Sequence, residues 1–148
     1  MRTAIYPGSF NPWHEGHQDV LNKALQVFDE VIILQCVNPE KARTGDALTP
    51  FDALQKRVPQ DTRVIVTFCS ELLIDWIESV NTPITAVVKG LRNGQDLEYE
   101  RVQQYYNEDL ALEFKKNMPP TVYFITDRKL VHISSSAIRA VNSFKGSK

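Results

Sequence analysis

Cysteine is scarce in this chain, two residues in 148, and neither Cys36 nor Cys69 stands in a CxxC or other metal-type spacing. A disulfide-stapled secreted scaffold and a zinc ribbon are both excluded; the two are expected as reduced, largely buried thiols. No apolar run is long enough to cross a bilayer, and Met1-Arg2-Thr3-Ala4-Ile5 lacks the apolar core of a signal peptide. A cytoplasmic protein with no membrane partner is therefore expected. Charge of one sign is missing too: 17 basic against 18 acidic side chains leave a net −1. That argues against a surface that coats a nucleic acid, while leaving room for a local basic cleft. There is no GxxxxGK[ST] loop and no GxGxxG, so any phosphate must be held by another device. Repeats, low-complexity tracts and linkers are absent as well. With 43% apolar and 24% charged residues, the chain reads as one globular domain over residues 1–148.

What is present is an alternation of strand-like and helical runs. Strands are expected at Thr3–Tyr6, Val31–Val37, Arg63–Phe68, Ile84–Val88 and Thr121–Ile125. The second of these, VIILQCV, is nearly all apolar, as a strand covered on both faces should be. Helical spacing marks Gly16–Phe28, with Val20, Ala24 and Phe28 on one stripe and Leu21 and Leu25 beside it. Further helices are expected from Thr49-Pro50, read as N-cap and first turn, to about Arg57. Ser70–Val80 follows, with Leu72, Leu73, Trp76 and Ile77 inward, then Asp96–Lys116 and a short Ser134–Val141. The alternation implies right-handed crossovers and an α/β fold, a Rossmann-like, doubly wound, five-stranded parallel sheet with helices on both faces. In such sheets ligands sit beyond the carboxyl ends of the strands.

Three segments fall at such ends. Tyr6-Pro7-Gly8-Ser9-Phe10-Asn11-Pro12-Trp13-His14-Glu15-Gly16-His17 closes the first strand with a glycine turn and sets two imidazoles three residues apart at a helix start. The unpaired N–H groups and positive dipole end of a helix N-terminus favour phosphate there. The HExxH zinc reading fails, because these histidines are at i and i+3 with a glycine between them. On this reading the helix dipole keeps His17 neutral, able to donate one hydrogen bond to a phosphate oxygen. Val88-Lys89-Gly90-Leu91-Arg92 puts two cations around a glycine at the end of a core strand; Asp96-Leu97-Glu98-Tyr99-Glu100 follows as an acidic helix start suited to the dipole. His132-Ile133-Ser134-Ser135-Ser136-Ala137-Ile138-Arg139 leads three hydroxyls into a helix, where N–H groups and hydroxyls can grip β- and γ-phosphates. Each segment alone has a bland reading as cap or solvated turn. Together they suggest a site for a nucleotide triphosphate.

In this order and at these separations, GSFNPWHEGH, VKGLRNGQDLEYE and HISSSAIR resemble the bacterial phosphopantetheine adenylyltransferases of the nucleotidylyltransferase superfamily. The resemblance runs from Met1 to about Val141. It implies transfer of an adenylyl group from ATP to 4′-phosphopantetheine, giving dephospho-coenzyme A and pyrophosphate in coenzyme A biosynthesis, with Mg²⁺ as cofactor and no protein metal ligands assigned. Carried over by position, it implies Ser9 on both substrates, with Phe10 beside the ATP and His14 in the nucleotide site. His17 falls at the α-phosphate, and Lys41 at the acceptor phosphate and transition state. Leu73 falls along the pantetheine arm and Lys89 at the acceptor. Gly90, Leu91 and Arg92 match the ATP-binding GLR, and Glu100 an acidic residue near the nucleotide. Leu130, Val131, His132, Ile133, Ser134, Ser135 and Ser136 match the stretch that wraps the triphosphate. His17, Lys41 and Arg92 are the expected catalytic residues. A homo-oligomer is also implied, the family forming hexamers.

The chain departs from that pattern in places. Threonine usually stands where His14 is, a feature closer to nicotinamide-mononucleotide adenylyltransferases or cytidylyltransferases. Lysine replaces arginine at Lys89, losing a bidentate fork. The 41–68 stretch is shortened and the C-terminal tail is short. A sister enzyme that adenylylates another phosphate such as nicotinamide mononucleotide, and a nucleotide-binding module without catalysis, are the competing readings.

Overall fold

The computed structural model of the chain describes residues 1–36, 49–130 and 132–146. Its elements follow in the order β1 (Thr3–Gly8), α1 (Glu15–Val27), β2 (Glu30–Cys36), α2 (Phe51–Arg57), β3 (Val64–Cys69), α3 (Leu73–Ser79), β4 (Ala86–Leu91), α4 (Gly94–Glu113), β5 (Thr121–Ile125), a 3₁₀ turn at Arg128–Leu130 and α5 (Ser135–Gly146). The five strands form one sheet in the order β3-β2-β1-β4-β5, and every pairing is parallel. The expected architecture is therefore the observed one. The chain leaves β1 towards β2 and β3 on one side and returns to β4 and β5 on the other. This makes the β1–β4 boundary the switch point, where a crevice opens beyond the carboxyl ends.

Alternation along the strands sorts the core into two layers. Ala4, Tyr6, Val31, Ile33, Ala86 and Val88 face α1, whose Val20, Leu21 and Ala24 pack onto them together with the C-cap residue Phe28. Ile5, Ile32 and Val87 point the other way, where Leu73, Trp76 and Ile77 of α3 cover them with Ile84 and Met118. Successive residues alternate faces because the pleat has period two. Burial of each large side chain contributes on the order of 1.5–3 kcal/mol.

Boundaries differ from expectation where tertiary partners decide. β1 does not stop at Tyr6 but pairs through Gly8 with Gln35, so Gly8 is strand and not turn. The turn falls at Phe10, whose φ of 46° is left-handed and is held by the surrounding aromatic packing. Thr49 does not cap α2: Pro50 occupies the N-cap without a side-chain bond, and the Thr49 hydroxyl donates instead to Asn11 Oδ1 at 2.6 Å. The α3 helix begins at Leu73, leaving Leu72 45% exposed, while Ile74 takes the inward position. The long helix starts two residues early, because Asn93 caps it by accepting from the Asp96 N–H at 2.9 Å. The last helix runs to Gly146 instead of Val141. Val37, expected in β2, lies outside the described residues. Cys36 and Cys69, far apart in sequence, are register partners on β2 and β3. Both are free thiols; Cys69 is buried as expected, but Cys36 only partly so. Burial pushes the Cys36 thiol up to about 12 and raises that of Cys69.

Candidate active site

At the switch point lies a cleft of about 330 Å³, within the range of small-molecule sites. One wall comes from the end of β1 and the start of α1: Tyr6 to Phe10, His14, Gly16, His17 and Val20. A second comes from β4 and the head of α4: Lys89, Gly90, Arg92, Asp96 and Glu100. Thr126, Ile133 to Ser136 and Arg139 form the third.

The two imidazoles cap α1 reciprocally. His14 Nδ1 accepts from the Gly16 N–H at 3.1 Å, and His17 Nδ1 accepts from the His14 N–H at 3.1 Å. A neutral imidazole that accepts at Nδ1 must carry its proton at Nε2. The backbone thereby fixes both tautomers, and each histidine keeps one donor. Their rings stack, centroids 3.7 Å apart. Burial, then the neighbouring His14 and Arg92, brings the His17 pKa down to about 3; burial and Arg92 bring that of His14 to about 4. Both are neutral donors at pH 7. The neutrality expected of His17 holds, but desolvation leads as its cause. Gly16 permits the arrangement, because a Cβ there would lie 2.9 Å from His14 Cε1 and 3.0 Å from Nδ1. Behind His17, Tyr6, Phe10 and Trp13 form an aromatic wall with ring centroids 5.0–6.4 Å from the imidazole.

Gly90 brings the second wall close. A Cβ at this position would fall 2.6 Å from Val20 Cγ2, so α1 packs against β4 only because no side chain intervenes. Lys89 Nζ stands 3.4 Å from Glu100 Oε2. Arg92 is bound side-on to Asp96, Nε to Oδ2 at 3.0 Å and Nη2 to Oδ1 at 3.1 Å. Asp96 thus does more than suit the helix dipole.

The third wall is bolted to the first. Ser135 Oγ donates to the Pro12 carbonyl at 2.9 Å, and Arg139 Nη1 to the Asn11 carbonyl at 2.6 Å. Arg139 Nη2 also donates to Ser136 Oγ at 3.3 Å, while Ser134 Oγ caps α5 by accepting from the Ala137 N–H at 3.1 Å. Lys23 ties the preceding loop down, donating to Asp19, Asp127 and the Ile125 carbonyl at 2.6–2.9 Å. The serines shape the cleft through the loop they hold as much as through their own hydroxyls.

Of the residues expected from sequence, Ser9, Phe10, His14, His17, Lys89, Gly90, Arg92, Glu100, Ile133, Ser134, Ser135 and Ser136 meet at this cleft. Leu91 is buried beneath it, its carbonyl accepting from the Thr126 N–H at 2.8 Å. Leu130 ends the 3₁₀ turn, and His132 is exposed; neither lines the cleft. Leu73 packs on the opposite face of the sheet with Trp76 and Ile77. Lys41 and Val131 lie outside the described residues. Asp96, Arg139, Thr126 and Tyr6 also line the cleft but were not assigned to it from sequence. Tyr6 and Arg139 do stand at the ends of two of the segments read as site motifs, and the i, i+4 spacing signals the Arg92–Asp96 pair; nothing in the sequence marks Thr126. Among the described residues no group of three or more His, Cys, Asp or Glu could hold a metal ion.

A family model described as cytidylyltransferase-like matches residues 5–141. The phosphopantetheine adenylyltransferase of Clostridium novyi (strain NT) is 35% identical over 146 residues, 99% of this chain and 86% of that one. That of Dictyoglomus thermophilum is 32% identical over 146 residues, 99% and 85% of the two chains. Among solved structures, NadR protein in complex with NAD and AMP-PNP aligns with a TM-score of 0.53 at 22% identity, over 94% of this chain and 42% of that one. A lipopolysaccharide core biosynthesis protein from Thermoplasma volcanium GSS1 aligns with a TM-score of 0.51 at 17% identity, over 86% and 97%. The last two likenesses bear on the fold alone.

Proposed function

The chain belongs to the phosphopantetheine adenylyltransferase family within the cytidylyltransferase-like nucleotidyltransferases, and from that premise we propose that its cleft transfers the adenylyl group of ATP to 4′-phosphopantetheine. One observation carries the reading. Two neutral imidazoles, their Nε2 protons fixed by backbone bonds at Nδ1, line the same cleft as Arg92, Lys89 and the serine loop at the head of α5.

The acceptor phosphate is ionised at pH 7 and needs no general base. One of its oxygens forms the new P–O bond to the α-phosphorus; the α–β bridging bond breaks, and pyrophosphate leaves with the electron pair. The protein's work is alignment, which can supply roughly 7–11 kcal/mol, and stabilisation of the charge that grows on non-bridging oxygens. In this reading His17 and His14 donate from Nε2 to the α-phosphate region. Ser9 and Phe10 set the floor beside the nucleotide, with Gly90 and Leu91 as its backbone bed. Ile133, Ser134, Ser135 and Ser136 hold the triphosphate with Arg92. Lys89, paired with Glu100 at 3.4 Å, and Lys41 serve the acceptor; Leu73, packed on the opposite face of the sheet, has no place in it. Among the described residues both carboxylates of the cleft, Asp96 and Glu100, are already paired with cations. Mg²⁺ would therefore enter with the nucleotide, as MgATP, where it would neutralise phosphate charge.

Residues 1–148 act as one domain in this proposal. A homo-oligomer is proposed because Tyr99, Val102, Tyr105, Tyr106 and Leu112 stand exposed along α4 at helical spacing. The chemistry belongs in the cytoplasm, where ATP is supplied; no described helix is long and apolar enough to cross a membrane. The test is pyrophosphate release from ATP with a panel of acceptors. Turnover with 4′-phosphopantetheine well above that with nicotinamide mononucleotide is expected. Preference for the latter overturns the acceptor assignment, and ATP binding without turnover for any acceptor overturns catalysis.

A further inference from the structure

A triphosphate site is an unfavourable place for a carboxylate, yet Asp96 lines this cleft. Its charge is retained at neutral pH, because the Arg92 side chain and the Arg92 N–H hold its carboxyl below the usual range against the opposing effect of burial. The geometry explains its presence. Asp96 takes three hydrogen bonds from Arg92: the backbone N–H at 2.9 Å and Nε at 3.0 Å on Oδ2, and Nη2 at 3.1 Å on Oδ1. It is itself pinned, its N–H donating to the Asn93 cap at 2.9 Å on the first turn of α4. Arg92 and Asp96 side chains are 38% and 24% exposed, so the pair adds little to stability. A side-on fork does fix the plane of a guanidinium, and it uses two of five donors, leaving Nη1 to a ligand.

We propose that Asp96 is a positioning residue for adenylyl transfer, setting the plane in which Arg92 meets the transferring nucleotide. The proposal rests on the adenylyl-transfer reading and adds to it a division of labour. Arg92 touches the phosphates, and Asp96 acts only through Arg92, at the cost of one negative charge facing a polyanion.

That cost makes the proposal separable from a structural role. Asp96→Asn keeps an oxygen for the backbone N–H and removes the charge-assisted fork. The cleft becomes more positive, so ATP should bind as tightly as to the parent or more tightly, while kcat falls about 10- to 100-fold because Arg92 is no longer held. The thermal midpoint should stay close to that of the parent. In an Arg92→Ala background the same change should cost no further kcat, since the group it positions is gone. The assay is steady-state pyrophosphate release on the full chain, with ATP affinity from calorimetry. A kcat unchanged in Asp96→Asn overturns the proposal. So does a loss of kcat and ATP affinity in step with the melting temperature, or a cost that multiplies in the double variant. An inactive parent overturns the functional reading and the brace together; an active parent with an unaffected variant overturns the brace alone.

Discussion

Gly16→Ala tests the paired imidazoles through a single methyl group. The new Cβ would lie 2.9 Å from His14 Cε1 and 3.0 Å from Nδ1, closer than carbon atoms come in ordinary contact, about 3.5 Å or more. The neighbouring atoms belong to a side chain with two torsions, so the ring turns away and the backbone of α1 stays. Turning breaks the Gly16 N–H to Nδ1 bond of 3.1 Å and the 3.7 Å stack on His17. A lost bond of this type costs about 0.5–1.5 kcal/mol. Replacing glycine by alanine in a helix returns up to about 0.8–1 kcal/mol. The two nearly cancel, and stability should change by less than about 1 kcal/mol. Activity has no such compensation, because the Nε2 donor of His14 moves with the ring. Loss of one donor aimed at developing charge costs on the order of 10²–10³ in kcat, and partial displacement should cost at least about tenfold. Chemical denaturation and steady-state pyrophosphate release on the same preparation read the two quantities. Wild-type stability with kcat within about twofold of wild type would refute the reasoning, because His14 would then have no part at the reacting phosphate.

Other expectations follow from the described geometry or, for Lys41, from its place in the sequence motif. His17→Ala should lower kcat by about 10²–10³ with a much smaller effect on ATP affinity, since its bond tightens as charge develops; equal losses in both would remove its special role. Lys41→Ala should damage turnover and leave the urea midpoint almost unchanged. Both imidazoles stay neutral in the fold, with pKa values near 4 and 3, but take protons near 6.5 when unfolded. The unfolded chain therefore binds more protons below that pH, and stability should fall on acidification from about 6.5 towards 4, by at most about 1.4 kcal/mol per pH unit for each ring. Urea melts at several pH values should show a shallower slope for His17→Asn. Gly90→Ala should destabilise by about 1–3 kcal/mol, its Cβ falling 2.6 Å from Val20 Cγ2. Adding Val20→Ala should recover part of that loss in a double-variant melt; strict additivity would count against the contact.

The alternation of apolar runs determined the sheet, its parallel sense and the end at which the cleft opens, because those follow from local periodicity and the handedness of crossovers. The neighbourhood of His17, Arg92 and the serine triplet was legible for the same reason: each lies just beyond a strand end. Three-dimensional packing alone decided the rest. Thr49 reads as a helix cap, but its hydroxyl finds Asn11, 38 residues away. Leu91 and Leu73 fall in segments that match site motifs, yet the sheet turns their side chains away from the cleft. Asp96 looked like a dipole partner until the fold showed its carboxylate wrapped around Arg92. The tautomers of both histidines were likewise beyond reach, since backbone N–H groups at the head of α1 select them. Periodicity tells which face a residue occupies; only the folded chain tells which partner its polar atoms will meet.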